Sequence, residues 1–238
     1  MDIWQIIAAD EMGLFLRSSL PIEKISLKGS ILDQNSLDVF SDVDFEVYLQ
    51  HGSGFDMNSV ISILSKHFSI FGYETHNNAD NDLLRICLEN GWRFDISFFY
   101  TKNKGSLLEE TSFIGKINKI INQFWFMSSM VLVKLGRGDY LISSHLALEL
   151  CQLVIVVQML IRDDNKKTTA HRFGDKEYIP IFTQLLNSDN NNDIPKGILN
   201  VLYLAAGHMD KVSVRLNLGY PSRSAVLHNI QNRLGVTG

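Results

Sequence analysis

Three aspartates stand where chemistry could be done. Asp42 and Asp44 flank one valine in "SDVDFEVYL", residues 41–49, and Asp95 sits alone among apolar neighbours in "RFDISFFY", residues 93–100. On an extended strand, residues i and i+2 face the same side about 7 Å apart, so the first two carboxylates share a surface while Val43 and Phe45 face the other way. If the strand bearing Asp95 is the neighbour, about 4.8 Å away, all three acids meet. Two anions about 5 Å apart repel by roughly 3 kcal/mol at an effective dielectric of ~20, a heavy burden on a marginally stable fold. A cation is therefore expected among them. The short stems and hard oxygens suit Mg²⁺, which is held by one or two carboxylates together with phosphate oxygens, and the lack of His or Cys in these stretches speaks against zinc. The plainer alternative is that Asp42 opens a strand after Ser41, Asp44 faces solvent and Asp95 is an unrelated edge acid.

A second feature precedes the acids. Gly29-Ser30 ends the β-type run "KISLKG", residues 24–29. A glycine-serine turn at a strand end, leading into a helical start, exposes backbone N–H groups to phosphate; glycine permits close approach and the Ser30 hydroxyl adds a donor. Gly-Ser, Asp-x-Asp and a later Asp fall in the order that a nucleoside triphosphate site needs.

These residues require a sheet. The runs 24–29, 43–50 and 69–77 read as strands, and "MNSVISILSKHF", residues 57–68, as an amphipathic helix. Asn90-Gly91 between apolar runs in residues 83–100 is a hairpin signal. The N-terminal eighteen residues read as a first amphipathic helix. Beyond residue 105 the pattern turns almost wholly helical: two long helices broken at Gly136-Arg137-Gly138, with Asp139 placed to cap the second, then segments around 177–186 and 195–217, where Pro195 suits a first turn. The expected class is α+β: a small mixed β-sheet with flanking helices in 1–105, then an all-α helical bundle in 106–238.

Within the bundle, His145, Glu149 and Gln152 fall on one stripe of a helix otherwise rich in Leu, Val and Ile. A buried Glu149 would have its pKa raised by desolvation and could serve as a general base facing a cleft; otherwise the stripe is a hydrogen-bonded polar seam. His171 and Arg172 in "HRFG" read as a phosphate-binding loop pair or a helix cap. Phe124, Trp125 and Phe126 read as core.

The 238 residues are 45% hydrophobic and 20% charged with a net charge of −4, which gives no basic footprint for a long nucleic acid. Cys87 and Cys151 lie in apolar segments without metal-like spacing and read as reduced core thiols. The N-terminus lacks the basic region and cleavage site of a secretory signal. "HLALELCQLVIVVQMLI", residues 145–161, carries Glu149, Gln152 and Gln158 and falls short of the ~20 apolar residues of a membrane span, so a core helix is expected. Together these point to a cytoplasmic protein without a membrane partner.

"GS…SDVDFEVYL…RFDISFF" resembles the nucleotidyltransferase fold of the DNA polymerase beta superfamily, and residues 124–163 with "HRFG" resemble the helical domain of aminoglycoside and lincosamide nucleotidyltransferases. The resemblance implies a catalytic domain in 1–105 and acceptor binding by 106–238. It implies that Gly29 and Ser30 bind the triphosphate of ATP or another NTP, that Asp42 and Asp44 ligate Mg²⁺, and that Asp95 completes the metal site or takes the acceptor's proton. Many members carry Arg and Gly after the Gly-Ser pair; here the stretch is Ile31-Leu32-Asp33-Gln34, so cationic phosphate contacts fall to Lys134 or Arg137.

The implied reaction is in-line attack of a hydroxyl on the α-phosphorus with pyrophosphate release, the base being Asp95 or Glu149. The implied acceptor is a small molecule such as an antibiotic, which would make this a resistance enzyme, and a weakly acidic protein suits a cationic aminoglycoside. Transfer to a protein or RNA acceptor, as in toxin–antitoxin pairs, and a non-catalytic nucleotide-binding module are the competing readings. The apolar bundle helices leave room for a homodimer.

Overall fold

The computed structural model describes residues 4–33, 37–78, 80–100, 112–166, 193–218 and 222–237. The expected segment at 177–186 and the His171-Arg172 pair lie outside them. The chain divides into two compact units, residues 1–109 and 110–238.

The first unit holds five strands, β1 (Ile22–Lys28), β2 (Val43–Leu49), β3 (Ile70–Asn77), β4 (Asp82–Leu88) and β5 (Arg93–Phe99), with helices α1 (Trp4–Ser19) and α2 (Met57–His67). The sheet order is β1-β2-β5-β4-β3. β2 and β5 run parallel and the other neighbours antiparallel, so the sheet is mixed as expected. Strict alternation in β2 drives Val43, Phe45, Val47 and Leu49 to one side. Phe94, Ile96 and Phe98 of β5 join them, and the face is closed by Ala8, Met12 and Leu16 of α1 with Val60 and Leu64 of α2. With one face of the sheet committed to this core, the polar alternates must take the other.

The local devices follow from sequence. Asp56 caps α2, its carboxylate accepting from the backbone N–H groups of Asn58 and Ser59. β4 and β5 are joined by a three-residue loop, Glu89-Asn90-Gly91: the Leu88 N–H donates to the Trp92 carbonyl at 2.8 Å, and Gly91 takes φ +84°. That left-handed residue is where such a loop wants glycine.

The second unit is helical: α3 (Phe113–Gly136), α4 (Tyr140–Lys166), α5 (Ile194–Arg215) and α6 (Arg223–Leu234). Phe124, Trp125 and Phe126 are buried core residues, as the sequence implies. Asp139 accepts from the Ile142 N–H at 3.2 Å, and Pro195 lies in the first turn of α5. The sequence reading stops before α6. Its cap comes from elsewhere: Asp210 of α5 accepts from the backbone N–H groups of Arg223 and Ser224 and from the Ser222 hydroxyl. By length and composition α4 is apolar enough to cross a membrane, more than the sequence reading allowed, but within its unit it packs on α3 and α5, and its Ala147, Leu150, Val154, Val157 and Ile161 are buried. Cys87 and Cys151 are buried free thiols.

Replacing the α2 cap, Asp56→Ala, is expected to lower stability to urea by about 1 kcal/mol at pH 7. The Ser59 hydroxyl and amide hold the Asp56 carboxyl below its ordinary value of 3.8. Its stabilisation is therefore present above that value and lost as pH falls through the lowered one, so the stability difference between the two proteins should shrink steadily as the solution is acidified.

Candidate active site

One row of register partners crosses the whole polar face: Lys28 of β1 opposite Asp44 of β2, Asp44 opposite Asp95 of β5, Asp95 opposite Arg85 of β4, and Arg85 opposite Glu74 of β3. Because β2 and β5 are adjacent and in register there, Asp44 and Asp95 share a face, one strand spacing apart. Asp42 stands two residues before Asp44 on the same side, where the preceding loop enters the strand.

That loop is fastened by two buried donors. Gln5, 1% exposed, donates from Nε2 to the carbonyls of Asp38 (2.7 Å) and Ser41 (3.2 Å). Arg93, 2% exposed, donates to the Ser41 carbonyl at 3.2 Å and to the Gly91 carbonyl at 3.1 Å, its guanidinium 5.7 Å from the Trp4 ring. Asp38 closes the turn, accepting from the Ser41 hydroxyl at 2.8 Å and the Phe40 N–H at 3.0 Å. Buried polar groups held this way fix the backbone just before Asp42. Sequence reasoning missed Gln5 and Arg93, since nothing in their local pattern announces long-range bonds.

Gly29 follows β1 in the left-handed region, φ +66°, and opens a short 3₁₀ turn with Ser30 over residues 29–32. A Cβ built on it would collide with Oδ2 of Asp44 and lie 3.2 Å from its Cγ. Only glycine fits, on two counts: the backbone angle and the carboxylate beside it. The Gly-Ser turn and Asp-x-Asp, separate in sequence, thus lie against each other in the fold. Lys28 stands beside them, its ammonium 3.4 Å from Glu46.

Asp44 is pushed up from 3.8 to about 6, first by burial, then by the charges of Asp42 and Asp95, with Arg85 opposing. Asp95 likewise rises to about 6, chiefly through burial, against the pull of Arg85. The mutual repulsion anticipated from sequence is therefore present. A protein cation that the sequence reading did not name stands beside one of them. Arg85 Nε donates to both oxygens of Asp95 at 3.2 and 3.0 Å, and its Nη1 donates to Glu74 at 2.9 Å. Neither Asp42 nor Asp44 makes a hydrogen bond or ion pair among the described residues.

Among the described residues, no three His, Cys, Asp or Glu side chains are grouped to hold a metal ion. The Arg85 contacts occupy Asp95 and leave Asp42 and Asp44 as the open oxygens. Two carboxylates with phosphate oxygens make an ordinary Mg²⁺ donor set.

The second unit carries Glu149, Lys134 and Arg137. The burial expected for Glu149 is not found: its side chain is 39% exposed and pairs with His145 at 3.5 Å, itself 68% exposed. That exposure does not match the buried placement from which its role as base was argued. Lys134 lies in the last turn of α3 and Arg137 caps its end, where positive charge complements the helix dipole.

Solved structures similar to this chain include an aminoglycoside 6-adenyltransferase from Bacillus subtilis, at 13% identity and a TM-score of 0.33, covering 98% of each chain. Another is the Elizabethkingia meningoseptica CdnE cyclic dinucleotide synthase with GTP and Apcpp, at 13% identity and a TM-score of 0.29, covering 98% of this chain and 90% of that one. No family model and no curated protein matches the sequence.

A carboxyl whose folded pKa is raised stabilises below its unfolded value of 3.8, and that stability is lost as pH rises through about 6. Asp44→Asn is therefore expected to stabilise the metal-free protein to urea by about 1 kcal/mol at pH 8, the shift being discounted for a half-buried group, and to have little effect at pH 4. Destabilisation at pH 8 would contradict the electrostatic account.

Proposed function

We propose that the chain is an Mg²⁺-dependent nucleotidyltransferase that moves a nucleoside monophosphate, AMP from ATP, to a hydroxyl of a small molecule, an aminoglycoside or lincosamide, releasing pyrophosphate. The observation that carries this reading is the in-register meeting of Asp44 and Asp95, with Asp42 on the same side and the Gly29-Ser30 turn against Asp44. Such a face has excess negative charge that one protein arginine, shared between Asp95 and Glu74, does not offset.

In this reading Asp42 and Asp44 would hold Mg²⁺. When bound, the ion supplies positive charge to the triphosphate and to the oxygens whose charge develops during transfer. Gly29 and Ser30 lie against the phosphates. The acceptor oxygen forms its bond to the α-phosphorus as the bond to the pyrophosphate oxygen breaks, and the hydroxyl proton passes to Asp95. A carboxyl raised to about 6 is a better proton acceptor near neutrality than an ordinary one, and a positioned base contributes ~10²–10⁴-fold. The raised value of Asp95 and the exposure of Glu149 favour Asp95 as base. Residues 1–105 act as the catalytic domain and 106–238 as the acceptor-binding domain. Two free buried thiols fit a cytoplasmic setting.

The test is release of labelled pyrophosphate from ATP and Mg²⁺ across a panel of aminoglycosides and lincosamides. Acceptor-dependent release that Asp44→Asn reduces by at least ~10³-fold, in a variant that still folds, is expected; full activity of that variant refutes the metal assignment. Mg²⁺ should raise the melting temperature at pH 8, and the rise should shrink toward pH 5, where protons occupy Asp44 and Asp95.

A further inference from the structure

Arg85 is the element of this site that the reaction scheme leaves without a task, and its geometry gives it one. Its Nε spans both oxygens of Asp95, at 3.2 and 3.0 Å, while Nη1 reaches across the next strand to Glu74 at 2.9 Å. All three are only partly exposed, with side chains at 26% for Arg85, 21% for Asp95 and 13% for Glu74. A planar guanidinium gripped at both ends has little freedom, and it transmits that restriction to the carboxylate it touches. His76 lies 3.3 Å from the same Glu74 carboxylate, so the anchor is itself held on the outer strand.

Resting on the nucleotidyltransferase reading above, we propose that Arg85, anchored by Glu74, is a positioning residue. It fixes the orientation of the Asp95 carboxylate and offsets its charge, so that Asp95 stands beside Asp44 without being drawn into the cation site. The register confines this role to one residue, because Arg85 is the cross-strand partner of both Asp95 and Glu74. A lysine there would keep the charge but lose the contact that spans two oxygens while also reaching Glu74.

Two effects of losing Arg85 run in opposite directions, which a purely structural role does not produce. Removing a positive charge near Asp44 strengthens attraction for a divalent cation, while freeing Asp95 spoils its placement for proton transfer. In full-length Arg85→Gln, Mn²⁺ alone, titrated calorimetrically without nucleotide, should bind about fivefold more tightly than in wild type. The kcat for pyrophosphate release should fall at least tenfold with KM for ATP within about threefold. Arg85→Lys should restore wild-type Mn²⁺ affinity but not kcat. Glu74→Gln, which keeps the guanidinium and removes its anchor, should lower kcat without tightening Mn²⁺.

Unchanged or weaker Mn²⁺ binding in a folded Arg85→Gln protein overturns the proposal, as does full kcat in Arg85→Lys. If Arg85→Gln does not fold, Arg85→Lys decides on kcat alone. If wild type releases no pyrophosphate with any acceptor while the Mn²⁺ shift appears, the transfer reading fails and the assignment of Arg85 to the cation site stands.

Discussion

Two carboxylates, Asp44 and Asp95, face each other across a parallel pair of strands at the middle of a five-stranded sheet, and most of what surrounds them makes that contact tolerable or useful. Neither strand can turn its acid away. The alternates of β2 are Val43, Phe45, Val47 and Leu49, and those of β5 are Phe94, Ile96 and Phe98, all committed to the core under α1 and α2. A one-residue slip would bury the acids and expose those side chains, at a cost far greater than the repulsion avoided. Hydrophobic burial therefore holds the like charges together.

The protein answers that repulsion in two ways. On the Asp95 side it supplies Arg85, tied to Glu74, so one acid of the pair has a partner of opposite sign. On the Asp44 side it supplies space: Gly29 in a left-handed conformation, with no Cβ to crowd the carboxylate. The asymmetry divides the labour between the acids. One is oriented by the protein; the other, with Asp42, is left with open oxygens that suit a hard cation. Behind Asp42, the buried donors Gln5 and Arg93 hold the carbonyl of Ser41, so the open pair is presented from a fixed backbone.

Much of this was legible from the residues. Alternation located β2, the Asn90-Gly91 signal located the hairpin of β4 and β5, and Asp-x-Asp with a lone later Asp pointed to one polar face. What was not legible was the hairpin register. A two-residue turn at Asn90-Gly91 would set Ile86 across from Asp95, whereas the three-residue loop with Gly91 at φ +84° sets Arg85 there. That difference of one residue supplies the site's internal cation. Glu149 shows another limit: its apolar helical neighbours left open a buried base or a polar seam, and its side chain is 39% exposed beside His145, because helix periodicity tells which residues share a face and not whether that face is covered.

By itself the sequence determined the class of fold, the strands and most helices, because periodicity, capping residues and turn glycines act over a few neighbours. It also determined which acids stand out, since a charge in an apolar run is visible without coordinates. Only the tertiary structure decided which residues meet: Arg85 with Asp95 and Glu74, Arg93 and Gln5 with the loop before Asp42, Asp210 with the start of α6. Such contacts join residues distant along the chain, and their partners are chosen by register and packing, which no local pattern encodes.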